Sequence, residues 1–313
     1  MCTAIAINGS SSVFGRTLDV DCSYGERIVI APCGSDIGAR SLSHPKLIGS
    51  ATVVDGIPLF YDAMNEHGLC AAALNFPRSA VYLPTVKGKR NLPSFALIPT
   101  VLSECRSVDE ATLLLNHVNI TTESFSADLP ATPMHWIVSD GKFSVVAEPL
   151  ADGLKVTATP YGVLTNEPHY QYHLLHLEHY CAMHPASPEN RMLRYHSGEV
   201  FSGGMGAMGL PGDFSSPSRF VRAVYAREYT LSDGSEWGEV NRFFHVASCV
   251  SVPEGCSYFT DGGPSRTLYT SCFDTTHMSY YVKSYSAQSI TKISLDSYEC
   301  ESGITEIDMP GLG

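Results

Sequence analysis

Apolar positions in this chain come in short runs broken by turn residues, with few long stretches of helical period. Cys2–Ile7 is apolar and rich in β-formers, and Asn8-Gly9 follows at once, which predicts a strand entering a hairpin turn. Val13–Leu18 is then the return strand. Arg27–Ala31, Ala51–Val54 and Leu59–Tyr61 read as strands, the last two flanking Asp55-Gly56, while residues 32–50 read as loop. Gly68–Phe76 is small and apolar, as a buried strand is. Met134–Ser139 and Lys142–Glu148 flank Asp140-Gly141, a second hairpin. Leu154–Ala158, Gly162–Thr165, Leu268–Cys272, Ser279–Tyr285 and Ile290–Leu295 complete the predicted strands.

Five segments predict helix. Pro93–Cys105 is the first, and Ser107-x-x-Glu110 forms a capping box that starts the second, Val108–His117. Pro168–Met183, Ser218–Thr230 and Trp237–Val250 are the others, with Pro217 and Ser218 marking a helix start. Residues 184–217 are rich in Gly, Pro and Ser and read as an irregular connection. Strands and helices arrive in blocks joined by hairpins, without regular βαβ alternation. That order argues for an α+β layered fold with antiparallel sheets. Length alone gives a prior of about two domains. With no internal repeat and no linker, one domain spanning 1–313 fits better.

Composition narrows the function classes. Apolar residues make up 44% and charged residues 17%, a balance that excludes intrinsic disorder. The net charge of -12 and a pI of about 5.4 leave no basic run beyond Lys87-Gly88-Lys89-Arg90, which argues against a nucleic-acid partner. No window is long and apolar enough for a membrane span, and the N-terminus has no signal-peptide pattern. The expected compartment is therefore the cytoplasm, where thiols stay reduced. Ten cysteines occur without a Cys-x-x-Cys pair. Nine of them read as small, mostly buried hydrophobes.

Cys2 is different. Loss of Met1 would leave a thiol and a free α-amino group on one residue. An α-amino group has a pKa of about 7.7–8.0, which suits a general base for its own nucleophile. Arg16 and Asp19 lie on or just after the predicted partner strand. Arg16 would favour the thiolate and orient a substrate carbonyl, and Asp19 would accept a hydrogen bond from the α-amino group.

Around these residues the chain resembles the choloylglycine hydrolase family, which contains bile salt hydrolases and penicillin V acylases. The resemblance rests on Met1-Cys2-Thr3-Ala4, Phe14-Gly15-Arg16-Thr17-Leu18-Asp19, Met64-Asn65-Glu66-His67-Gly68-Leu69 and Leu74-Asn75-Phe76-Pro77. It continues through Met134–Asp140, Gly162–Pro168, Gly209–Phe214, Ser218-Arg219-Phe220 and Tyr269-Thr270-Ser271-Cys272, in the family's order. It implies the N-terminal nucleophile hydrolase fold, a four-layer αββα sandwich of two antiparallel sheets between helical layers, and no cofactor. It implies Cys2 as nucleophile, with Arg16, Asp19, Asn75, Asn166 and Arg219 at the reaction centre. The backbone N–H of Asn75 and the side-chain amide of Asn166 would form the oxyanion hole. Matching pocket loops implies Leu18, Val54, Tyr61, Phe125, Leu129 and Thr132 as substrate contacts. Asn75 stands where bile salt hydrolases carry Asn and related penicillin V acylases often carry Tyr. The implied substrate is therefore a glycine- or taurine-conjugated bile acid, with penicillin V or another N-acyl amide as the alternative. The implied assembly is a homotetramer, with 184–217 as its arm.

A reading from another class uses His169, His173 and His176, whose i, i+4, i+7 spacing puts three imidazoles on one helical face. Without a following Glu or a zinc-spaced Cys, histidines on an exposed face are the default, and the expectation is no metal.

Overall fold

The computed structural model describes residues 1–9, 11–39, 43–190, 195, 202–259, 262–298 and 303–312. Its first half contains β1 (Cys2–Ile7), β2 (Val13–Val20), β3 (Glu26–Ala31), β4 (Leu47–Val54), β5 (Ile57–Asn65), β6 (Cys70–Asn75) and β7 (Arg90–Pro93). Next come α1 (Leu97–Glu104), α2 (Val108–Leu115), β8 (Val118–Thr121), β9 (Met134–Ser139), β10 (Ser144–Leu150), β11 (Gly153–Ala158) and β12 (Val163–Leu164). Then follow α3 (Tyr170–Leu177), α4 (Ser216–Tyr229), α5 (Glu236–Ser248), β13 (Arg266–Asp274), β14 (Ser279–Ser284), β15 (Thr291–Ser294) and β16 (Thr305–Asp308).

Two antiparallel sheets carry the architecture. A six-stranded sheet has the order β12-β1-β2-β13-β14-β15, and an eight-stranded sheet has β11-β10-β9-β6-β5-β4-β3-β16. β7 and β8 form a separate parallel pair. Helices α4 and α5 pack on β1, β2 and β13, while α1 and α2 pack on the eight-stranded sheet. Each sheet therefore buries both faces, giving four layers in the order α, β, β, α. Double-sided burial explains why β1 is buried at every position, and why its sequence shows no alternation. One apolar cluster lies around the six-stranded sheet, including Phe14, Ile137, Phe220 and Phe273. The other lies under α1 and α2, around Trp136, Leu97 and Val101.

Local signals explain most element ends. Ser107 Oγ accepts from the Glu110 N–H, as a capping box requires, but the Glu110 carboxylate takes the Arg106 N–H. Four expectations are corrected. Leu47–Ser50 belongs to β4, although Gly49 and Ser50 read as loop. A Cβ on Gly49 would lie 2.2 Å from the Asp62 carbonyl oxygen, so here glycine marks close strand approach and no turn. The helix expected from Pro93 starts at Leu97, because Arg90–Pro93 pairs with β8. Within 184–217, residues 216 and 217 begin α4, and residues 191–194 and 196–201 lie outside the described residues. Finally, the cysteines are not mostly buried: Cys22, Cys33, Cys181, Cys249 and Cys256 are exposed. Among the described residues, no helix is long and apolar enough to cross a membrane.

Gly15, at the centre of the β1–β2 hairpin, tolerates no side chain. A Cβ there would meet the Ser271 carbonyl oxygen at 2.0 Å and the Phe243 ring at 2.7 Å. Gly15→Ala should destabilise the protein by about 3 kcal/mol or leave it unfolded. Urea unfolding measures this, and a loss below about 1 kcal/mol would contradict the packing described.

Candidate active site

Pairing of β1 with β2 sets Cys2 opposite Leu18, Thr3 opposite Thr17 and Ala4 opposite Arg16. Alternation then sorts the polar groups. Cys2, Arg16 and Leu18 face the other sheet, while Thr3, Thr17 and Asp19 face α4. Arg16 is fully buried and reaches across the gap between the sheets. Its Nη1 donates to the carbonyls of Tyr61 (3.1 Å) and Ala73 (2.5 Å), on β5 and β6. Its Nη2 lies 2.6 Å from Cys2 Sγ. Burial by itself lowers the Arg16 pKa, but the facing Cys2 sulfur, Tyr269, Asp62 and Asp19 raise it above its ordinary value. The guanidinium stays charged beside Sγ.

The second arginine approaches from the helical side. Arg219 lies in the first turn of α4, where the helix dipole disfavours a cation. Its Nη1 donates to the Cys2 carbonyl (2.5 Å) and Thr3 Oγ1 (2.6 Å), and its Nη2 donates to Asn166 Oδ1 (2.6 Å). The Asp19 carboxylate lies 3.9 Å from Nη1. Burial holds the Arg219 pKa below its ordinary value, against the pull of Asp19 and Cys2.

Asn166 is oriented from both ends. Oδ1 accepts from Arg219 and from the Cys2 N–H (2.8 Å), while Nδ2 donates to the Asn75 carbonyl (2.8 Å). One Nδ2 hydrogen remains for another acceptor. Asn75, at the end of β6, exposes its side chain. The structure thus brings Cys2, Arg16, Asn75, Asn166 and Arg219 together, with Asp19 directly behind. With Met1 in place the Cys2 nitrogen is an amide whose one hydrogen goes to Asn166, and Asp19 finds other partners. Its carboxylate takes the hydroxyls of Thr267 (2.7 Å) and Thr17 (3.3 Å), not the Cys2 nitrogen. Its backbone exchanges hydrogen bonds with Met1, which adds a rung to the β1–β2 ladder. Burial lowers the pKa of the Met1 amino group.

Of the expected substrate contacts, Leu18 lies beside Cys2, and Tyr61 bonds Thr52 Oγ1 through its hydroxyl at 2.8 Å. Val54 ends β4 at the Asp55-Gly56 turn. Phe125, Leu129 and Thr132 lie on the loop between β8 and β9, where Phe125 packs edge-on against Phe95. That loop leads into Met134, the partner of Asn75. A cavity of about 510 Å³ lies elsewhere, at the Asn8 end of β1, between Val108, Phe143, Val156 and Arg227.

The three histidines do not converge. His169 precedes α3 and is exposed, His176 stacks on Tyr172, and His173 is buried against Phe220. Among the described residues they form no metal-holding group. His173 instead donates from Nε2 to the Asn166 carbonyl at 2.9 Å. Ser216 Oγ accepts the Asn166 N–H at 2.8 Å. These two supports of Asn166, and the Thr267 hydroxyl behind Asp19, were missed by the sequence reading. The histidine spacing singled out His173, but for the wrong chemistry.

Burial pushes the His173 pKa down to about 4. An unfolded chain binds that proton near pH 6.5, so stability is full above about 6.5 and falls as pH drops toward 4. By pH 5 the loss from this residue should be about 2 kcal/mol. Urea unfolding of wild type and His173→Gln at pH 7 and pH 5 checks it. An unchanged difference between the two pH values in the variant would refute the assignment.

The family model described as linear amide C–N hydrolases, choloylglycine hydrolase family, matches residues 2–307. The chain is 39% identical over 300 residues to a bile salt hydrolase/transferase of Lactiplantibacillus plantarum, covering 95% of this chain and 93% of that protein. A solved structure of a mutant conjugated bile acid hydrolase from Clostridium perfringens superposes with a TM-score of 0.91 at 29% identity, over 98% of this chain and 97% of that one. A penicillin V acylase from Agrobacterium tumefaciens shares the fold, with a TM-score of 0.75 at 21% identity, over 97% and 90% of the two chains.

Proposed function

The chain belongs to the choloylglycine hydrolase family of linear amide C–N hydrolases, and we propose that it cleaves glycine- or taurine-conjugated bile acids. The observation that carries the reading is the Cys2 sulfur set 2.6 Å from a buried, charged guanidinium at the end of a strand. Relatives named bile salt hydrolase/transferase and conjugated bile acid hydrolase support the substrate class.

The proposed sequence begins with loss of Met1, which turns the Cys2 nitrogen into an amine. That amine still donates to Asn166 Oδ1, and its lone pair takes the thiol proton. The thiolate, held by Arg16, attacks the amide carbonyl. The resulting oxyanion is stabilised by the remaining Asn166 Nδ2 hydrogen and the Asn75 backbone N–H. Collapse of the intermediate breaks the C–N bond, and the Cys2 ammonium protonates glycine or taurine as it leaves. Water, deprotonated by the same amine, then hydrolyses the thioester. Arg219 keeps the Cys2 carbonyl and Asn166 in fixed relation throughout. Asn75, Leu18, Tyr61, Val54 and the 125–132 loop form the substrate side. A second acceptor is favoured by the relatives' names: an amine in place of water at the thioester step gives acyl transfer.

The test is a panel of glycocholate, taurocholate and penicillin V on protein whose intact mass lacks Met1. Bile salt turnover should exceed that of penicillin V, and Cys2→Ala should abolish it. Faster penicillin V hydrolysis would overturn the substrate, and an active Cys2→Ala would overturn the mechanism. Asn166→Ala should lower kcat by about 100- to 1,000-fold with little change in KM.

A further inference from the structure

Asn75 and Asn166 belong to different sheets. Asn75 ends β6 of the eight-stranded sheet, and Asn166 follows β12 at the edge of the six-stranded one. No single ladder fixes their separation. The direct link is one hydrogen bond, Asn166 Nδ2 to the Asn75 carbonyl. A donor pair built across two sheets requires a second, rigid connection to be preorganised.

His135 supplies one. It lies on β9 beside Leu74 of β6 and is fully buried. Its ring stacks on Phe76, the residue after Asn75, at 4.2 Å and 9°. Its Nε2 donates across the gap to the Thr165 carbonyl at 2.9 Å, one residue before Asn166. Glu148 lies on the other side of the ring, with Oε1 3.3 Å from Nδ1. Both Glu148 oxygens accept from the Tyr170 N–H, at 2.9 and 3.0 Å. The chain of contacts thus runs from the start of α3 through Glu148 and His135 to Phe76 and Thr165, the neighbours of the two asparagines.

We infer that His135 is a positioning residue, which locks the Asn75 and Asn166 donors into one unit across the two sheets. This rests on the oxyanion role proposed for the two asparagines. It predicts that the imidazole acts on the barrier and leaves ground-state binding alone, because the oxyanion exists only after attack.

The experiment compares His135→Gln with His135→Asn, each alone and combined with Asn166→Ala. A glutamine amide reaches the place of Nε2 and can keep the bond to Thr165, while the shorter asparagine amide cannot. His135→Asn should lower kcat by about 10- to 100-fold with KM within about twofold. His135→Gln should restore most of the loss. In the Asn166→Ala background, His135→Asn should cost under about twofold, since the group it positions is gone. Equal losses for Gln and Asn, a loss carried by KM, or full additivity with Asn166→Ala would each overturn the inference. An Asn166→Ala enzyme with unchanged kcat would instead sink the oxyanion reading on which it rests. Should His135 variants fail to fold, Glu148→Gln takes the same cycle, with the same expected kcat loss and non-additivity. If that variant also fails to fold, the pair is core scaffold and the inference falls.

Discussion

Two guanidinium groups, each entirely removed from water, meet on either side of one cysteine. Burying such a charge costs several kcal/mol unless its donors find acceptors. Arg16 directs its hydrogens at the carbonyls of Thr17, Tyr61 and Ala73, and finally at the Cys2 sulfur. A thiol is a weak acceptor and a thiolate a full anion. The Cys2 sulfur is thus the one partner of Arg16 whose strength as an acceptor depends on its charge. Arg219 is satisfied differently, by the Cys2 carbonyl, Thr3, Asn166 and the Phe214 carbonyl. One arginine addresses the reacting atom, and the other addresses the backbone that carries it.

The β1–β2 register makes this division possible. A slip by one residue would exchange the two faces, sending Arg16 to the helices and Asp19 between the sheets. Gly15 secures the register, because β13 lies against it too closely for any side chain. The cross-strand row continues from Thr17 to Thr270 on β13, and Thr267 of the same strand holds the Asp19 carboxylate. The geometry around Cys2 and the sheet pairing are thus one constraint. A substitution that weakens the hairpin weakens the site with it.

Much of this was legible in the sequence where the signal is local. Asn8-Gly9, Asp140-Gly141 and Ser107-x-x-Glu110 each announce a turn or a cap through their own backbone chemistry. Signals failed where a residue's role is set by a distant partner. Gly49 resembles a loop breaker, but β5 beside it is the reason for glycine. His173 stands at metal-like spacing, yet its Nε2 serves a carbonyl seven residues back. Asp62 and His135 are buried polar residues in mostly apolar strands. Their partners, Ser271 and Thr165, are 209 and 30 residues away, and nothing in local pattern links them. The residues gathered around Cys2 were reached through ordered resemblance, since spacing alone places Arg219 no nearer Cys2 than any other helical arginine.

The cluster around Cys2 and the loop between β8 and β9 are held by different kinds of contact. Cys2, Arg16, Asp19, Asn166 and Arg219 are all buried, and their contacts run mainly to backbone carbonyls and to one another. Such contacts tolerate little change, because each lost acceptor strands a buried donor. Leu129 and Thr132, by contrast, are exposed on a loop whose turn is closed by its own backbone, from Phe125 and Ser126 to Leu129. Their side chains can be exchanged without unseating any buried charge. The buried cluster around Cys2 is thus held by electrostatics, while the 125–132 loop is free to vary in shape and apolar surface.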